Sequence, residues 1–205
     1  MHLIYDFDGT LYATHKYFEA WVNALVEHGL NREQIVQGAN ILFSIGFTLE
    51  AHADQLGLGG KEVEKMIKQF MKLINEEGAS LLFPDVVPFL SEQADGHHQT
   101  ILTFGNPDFQ TKKIQASGLS EFIDDIRIAR PERTKLEHLR EMIEMSSGPI
   151  TYIDNSPKTL LQVHEAGLPI TLIRMIRSDE RHSDMQMPED DDIWQCISSL
   201  EEIET

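Results

Sequence analysis

An α/β fold, with a mostly parallel sheet and an inserted helical tract, is the architecture this sequence predicts, and three observations predict it. Short apolar runs of strand length recur at Leu3–Tyr5, Thr100–Phe104, Ile126–Ala129, Ile150–Ile153 and Ile170–Arg174. Segments with helical spacing of apolar residues lie between them. One interval, from residue 12 to about residue 83, holds far more helix than a crossover between parallel strands needs.

The elements can be justified in order. The first strand is short and apolar and ends at Asp6-Phe7-Asp8-Gly9, where glycine lets the chain turn sharply. Within the tract that follows, Phe18, Trp21, Val22, Leu25 and Val26 make one apolar face, and Val63, Met66, Ile67, Phe70, Met71 and Ile74 make another. Trp21 therefore reads as packing within this tract. Gly57-x-Gly59-Gly60 lacks the preceding strand and the lysine of a phosphate-cradling loop, so it reads as a break between two helices. The tract ends near Phe83-Pro84, giving an expected division into a core of residues 1–11 and 84–205 and a helical cap of residues 12–83. His97-His98, beside Gly96, reads as a surface turn before the second strand. Downstream, Leu136, Leu139, Met142 and Ile143, then Leu160, Leu161 and His164, keep helical spacing between strands. That alternation is the signature of a parallel sheet. The run Glu189-Asp190-Asp191-Asp192 lacks the spaced ligands of a calcium loop and reads as the acidic first turn of a final helix.

Charge narrows the partners. A formal net charge of −17 disfavours a nucleic-acid backbone or an acidic membrane as partner. An anionic small substrate would be repelled at long range, so a site for one must supply its own positive charge. A single cysteine, Cys196, excludes an internal disulfide and, with no long apolar segment or leader pattern, leads to the expectation of a cytoplasmic protein.

The residues that carry chemistry sit at strand ends. Asp6 and Asp8, two positions apart on an extended segment, can face one ligand. Two carboxylates so close call either for a cation between them or for one to keep a proton. Thr103 lies in Leu102-Thr103-Phe104-Gly105-Asn106, and Asp154 follows Ile150–Ile153. In open parallel sheets ligands bind beyond the carboxyl ends of the strands, where neighbouring strands would gather these residues. Lys135 opens a helical pattern nearby, with Arg130, before Pro131, as the competing cation. Lys112 and Lys113 read as the solvated face of the helix after Asn106. His15, Lys16 and Tyr17 read either as the polar start of a helix or as substrate contacts, and Arg174 and Arg177 as anion attractors or surface charge.

The ordered set Asp6-x-Asp8-Gly9-Thr10, Leu102-Thr103-Phe104-Gly105-Asn106, Lys135 and Ile153-Asp154-Asn155-Ser156-Pro157 resembles the four motifs of the haloacid dehalogenase superfamily. The resemblance implies a Rossmann-like core and a cap placed after the first motif. It further implies a phosphatase acting on a small phosphorylated metabolite. Asp6 would be the nucleophile that forms an aspartyl-phosphate, and Asp8 the general acid and base. Thr103 and the amides around Gly105 and Asn106 would hold phosphoryl oxygens, and Lys135 would hold the phosphate and Asp6 together. Carboxylate and phosphate repel by about 4 kcal/mol per charge pair at 4 Å and an effective dielectric of 20. Mg2+ bound by Asp6, the Asp8 main-chain carbonyl and Asp154 is implied to remove that barrier. Many relatives carry two acids in the fourth motif where this chain has Asp154-Asn155. A phosphotransferase such as a sugar-phosphate mutase would keep all four motifs, and a non-catalytic phosphate-binding protein is the reading of a different class. A dehalogenase is disfavoured by the carboxylate at Asp8.

Overall fold

The computed structural model describes residues 1–178, 180, 182 and 193–204. In chain order the elements are β1 (His2–Tyr5), α1 (Thr14–Glu27), α2 (Arg32–Phe43), α3 (Leu49–Gln55), α4 (Lys61–Glu77), α5 (Val86–Gln93), β2 (His98–Phe104) and α6 (Pro107–Ser117). They continue as β3 (Asp125–Ala129), α7 (Lys135–Met145), β4 (Ile150–Asp154), α8 (Pro157–Glu165), β5 (Thr171–Met175) and β6 (Gln195–Ile197).

The strands form one six-stranded sheet in the order β3-β2-β1-β4-β5-β6. Every neighbouring pair is parallel, so this is the expected α/β, Rossmann-like sheet. Its inner strands are buried and nearly wholly apolar, as a sheet covered on both faces requires. Strand order reverses between β1 and β4, and the register sets Tyr5 opposite both Ile101 and Ile153. Asp6 and Asp154 therefore leave adjacent strands at the same level, with Thr103 two residues beyond Ile101. That is the crevice where ligands of open parallel sheets bind.

Helices α1 to α4 fill the interval between β1 and α5. The chain enters and leaves this tract through two paired segments: Ala13 N–H donates to Leu81 O at 2.7 Å and Phe83 N–H to Leu11 O at 3.2 Å. A continuous buried cluster runs from Leu3, Tyr5 and Ile101 through Leu11 and Tyr17 to Trp21, Leu25, Ile35, Leu49 and Ile74. Trp21 is fully buried, and its indole N–H donates to His52 Nδ1 at 3.1 Å while His52 Nε2 reaches Ile35 O at 2.9 Å. The glycine-rich segment does separate α3 from α4.

Two expectations need correcting. Arg174 and Arg177 are buried and are neither surface charge nor anion traps. Arg177 donates to Asp85 at 2.9 Å, to Thr10 O at 3.2 Å and to Ser198 O at 2.9 Å, and stacks over Phe83, while Arg174 donates to His182 O at 3.0 Å. At the C-terminal end, the run Glu189–Asp192 lies outside the described residues, but Gln195–Ile197 form an edge strand paired to β5. Three residues carry no periodicity, so only tertiary pairing defines them. Among the described residues no helix is long and apolar enough to cross a membrane.

Candidate active site

Three helices begin at this edge of the sheet, each directly after a strand or its turn. Asn106 caps α6 by accepting from Phe109 N–H at 3.1 Å, with Pro107 preset in the first turn. Thr134 caps α7 in a reciprocal box with Glu137. Ser156 caps α8, with Pro157 following. The polar strand-end residues are thus also helix starts, where unpaired amides and the helix dipole favour an anion.

A cavity of about 690 Å3 opens here, lined among others by Asp6, Asp8, Thr103, Gly105, Lys135, Asp154 and Asn155. Lys135, from the first turn of α7, bridges two carboxylates: its Nζ lies 2.6 Å from Asp6 and 2.8 Å from Asp154. Asp154 also accepts from the Tyr152 hydroxyl and from Ser156 N–H at 2.7 Å. Burial pushes the Asp6 carboxyl up to about 7 against the pull of Lys135, with Asp154 adding to the rise. Burial would lower Lys135, but Asp154 and Asp6 carry it above its ordinary value, so the ammonium stays charged. Arg130, the competing cation, is exposed at the rim, in a turn closed by main-chain bonds with Arg133.

Thr103 is buried, and among the described residues nothing hydrogen-bonds its hydroxyl. A buried hydroxyl without a partner costs free energy, and a bound oxyanion would satisfy it. The two neighbouring amides differ. Gly105 N–H donates to Ala129 O at 3.1 Å and extends the β2–β3 ladder, so it is not available to a ligand as expected. The Asn106 amide has no protein acceptor among the described residues, while its side chain is spent on the cap.

Asp8 differs most from the expected picture. Its carboxylate accepts from Lys113 Nζ, from the Thr14 hydroxyl and, at 2.7 Å, from Gln110 Nε2. Burial would raise it, but Lys113, Thr14 and Gln110 together hold it below the ordinary carboxylate value. Lys113 therefore does not lie on a solvated face, although Lys112 does. It is 1% exposed and sits within 5.3–5.7 Å of the centroids of the Phe7, Tyr12, Tyr17 and Phe109 rings. The sequence held a signal for this. Lys113 lies four residues after Phe109 and three after Gln110, on the same helix face as those buried side chains.

Two glycines make the packing possible. Gly9 has φ +77°, and a Cβ there would meet Asn155 Nδ2 at 2.2 Å. A Cβ on Gly105 would meet Gln110 Nε2 at 2.9 Å and displace the amide that bonds Asp8. His15, at the start of α1, pairs through Nδ1 with the buried Glu180 at 2.6 Å. His15 and Tyr17 both line the cavity, whereas Lys16 points to solvent.

The carboxylates also bear on a cation. Among the described residues no group of three or more His, Cys, Asp or Glu is arranged to hold a metal ion, and the Asp8 carboxylate is turned to Lys113. Mg2+ needs only one or two carboxylates and keeps several waters. Asp6 and Asp154, two hard donors around a single positive charge, fit that requirement.

The fold is thus a parallel α/β sheet with two strand-end carboxylates bridged by one lysine and a helical tract after the first strand. The family profile described as haloacid dehalogenase-like hydrolase matches residues 3–173, and the chain belongs to that family. No curated protein sequence matches it significantly. Among solved structures, a haloacid dehalogenase-like hydrolase from Burkholderia xenovorans LB400 is similar, with TM-score 0.70 at 16% identity, covering 97% of this chain and 94% of that one. The magnesium-bound HAD-hydrolase YfnB from Bacillus subtilis has TM-score 0.65 at 18% identity, over 98% and 95% of the two chains. L-2-haloacid dehalogenase from Xanthobacter autotrophicus, with chloropropionic acid covalently bound, has TM-score 0.61 at 17% identity, over 88% and 79%. At such identities the likeness is one of fold.

Proposed function

We propose that this chain is a Mg2+-dependent phosphatase that hydrolyses a small phosphorylated metabolite through an acyl phosphate formed on the Asp6 carboxylate. The observation that carries the reading is the Asp6–Lys135–Asp154 bridge on the cavity floor, beside the unpartnered Thr103 hydroxyl. Lys135 neutralises part of the repulsion between Asp6 and an incoming phosphate and holds the attacking carboxylate in place. The Thr103 hydroxyl and the Asn106 amide donate to phosphoryl oxygens, whose charge grows during transfer. Bound Mg2+, held by Asp6, Asp154 and the Asp8 main-chain carbonyl, would supply charge neutralisation at the phosphoryl group.

Asp8 is the acid and base of this reading. Ionised by Lys113, it is ready to take a proton from the water that hydrolyses the intermediate. Protonating the leaving oxygen requires that Asp8 first take up a proton from solvent; passing it to the leaving alkoxide returns Asp8 to the ionised form that then receives one from the attacking water. Helices α1 to α4 act as the cap that excludes bulk water.

A dehalogenase is the second reading, favoured by the same Lys113–Asp8 pair, since a departing halide needs no proton. The test is phosphate release from a panel of phosphorylated metabolites with and without Mg2+, alongside chloride release from 2-chloropropionate, with Asp6→Asn as control. Metal-dependent phosphate release that Asp6→Asn abolishes supports the phosphatase. Chloride release without phosphate release would replace it.

A further inference from the structure

One part of the cavity lining is aromatic. Phe43, at the end of α2, stacks on Phe47 in the following loop with centroids 5.0 Å apart, and Phe18 of α1 stands edge-on to them at 5.4 and 6.0 Å. Phe47 continues to Phe109 of α6 at 6.3 Å. All four rings line the cavity, and Phe18 and Phe43 keep part of their surface accessible.

Charge is distributed the other way. Every Lys and Arg among the described lining residues, namely Lys113, Arg130, Lys135 and Lys158, lies outside the helical tract. Polar groups that the tract contributes are largely engaged: Thr14 with Asp8, Glu19 with Arg32, and the Ser44 hydroxyl with Ile41 O at 2.7 Å. Asn40 is the side-chain amide on this wall.

We infer that the cavity takes a phosphate monoester of an apolar, preferably aromatic, alcohol; this deepens the phosphatase reading and rests on it. Sugar hydroxyls pressed against these rings would lose water without gaining partners. A second phosphate against Phe18, Phe43 and Phe47 would meet no lining lysine or arginine from the helical tract, and Lys113, beside Phe109, is already paired with Asp8, so little offsets the repulsion of a chain with net charge −17. An aryl or benzyl group instead meets rings it can stack on, edge-on or offset.

The test compares benzyl phosphate with glycerol 3-phosphate, both esters of ordinary alcohols, using the full chain with Mg2+. Benzyl phosphate is expected to have the higher kcat/KM, on the order of tenfold or more, expressed mainly in KM. Phe43→Ala should narrow that ratio and Phe43→Leu should narrow it less, with thermal melts reporting whether each variant is folded. Equal or reversed preference in the wild type overturns the inference, as does a ratio that a folded Phe43→Ala variant leaves untouched. Should neither ester, nor any other in the wider panel, release phosphate, the phosphatase reading itself fails, which is a different result. If Phe43→Ala does not fold, the wild-type ratio alone decides.

Discussion

Lys113 and Asp8 form an ion pair across the cavity floor, with the lysine side chain 2% exposed and the carboxylate 27% exposed. The pair ties α6 to the turn after β1. Removing the ammonium leaves Asp8 with only the Thr14 and Gln110 bonds, and a buried pair that loses one partner costs about 3 kcal/mol. Lys113→Met is therefore expected to lower the melting temperature clearly. It should also cut the turnover of any substrate by at least about tenfold, with Lys113→Arg intermediate. Thermal melts and steady-state kinetics check this.

The Asp6 carboxyl makes the stability of the metal-free protein pH-dependent. Its ordinary value of 3.8 is raised to about 7 in the fold, with burial as the main cause. Between these values the folded state binds more protons than the unfolded one, so stability falls as pH rises from about 4 to 7. Asp6→Asn imitates the protonated form. It should melt at nearly the wild-type temperature at pH 4 and above it at pH 8, by at most a few kcal/mol in stability. A gap independent of pH would contradict this.

Adding Mg2+ acts on the same carboxyl with the opposite sign. A cation that binds the ionised site stabilises the folded state by mass action, and protons compete with it. Millimolar Mg2+ should raise the wild-type melting temperature more at pH 8 than at pH 5, and Asp154→Asn should remove most of the increase.

Thr103→Val separates binding from folding. The hydroxyl has no partner among the described residues, so its loss should leave stability unchanged or slightly raised. If the hydroxyl holds a phosphoryl oxygen, kcat/KM for phosphate release falls on the order of 10- to 100-fold. Loss of stability without loss of activity would assign Thr103 to the core.

Lys135 and Arg130 can be told apart directly. Lys135 touches both carboxylates, whereas Arg130 sits exposed at the rim. Steady-state assays are expected to show phosphate release reduced about 100- to 1,000-fold in Lys135→Ala and by no more than a few-fold in Arg130→Ala.

The sheet was legible because its strands are buried on both faces and read as uninterrupted apolar runs, from Leu3–Tyr5 through Ile150–Ile153. Residues at strand ends, such as Asp6, Thr103 and Asp154, could be placed together from topology alone. Partners reaching in from helix faces could not. Lys113 looks like surface charge beside Lys112 until α6 is rotated onto Asp8, and nothing in a linear chain marks Arg177 as the ligand of Asp85. The engagement of the Gly105 amide is hidden for a similar reason, since only the paired β3 shows that Ala129 has claimed it. β6 escaped notice because three residues acquire their strand character from a neighbour.

The capped starts of α6, α7 and α8 have one further consequence. A molecule with so large an excess of acid groups slows the approach of any anion, yet at the end of that approach stand three helix dipoles that cannot titrate and need no counter-ion. Capture and retention thus answer to different parts of the protein. Raising ionic strength would relax the barrier to arrival, while fixed dipoles close to an anionic substrate would be screened far less.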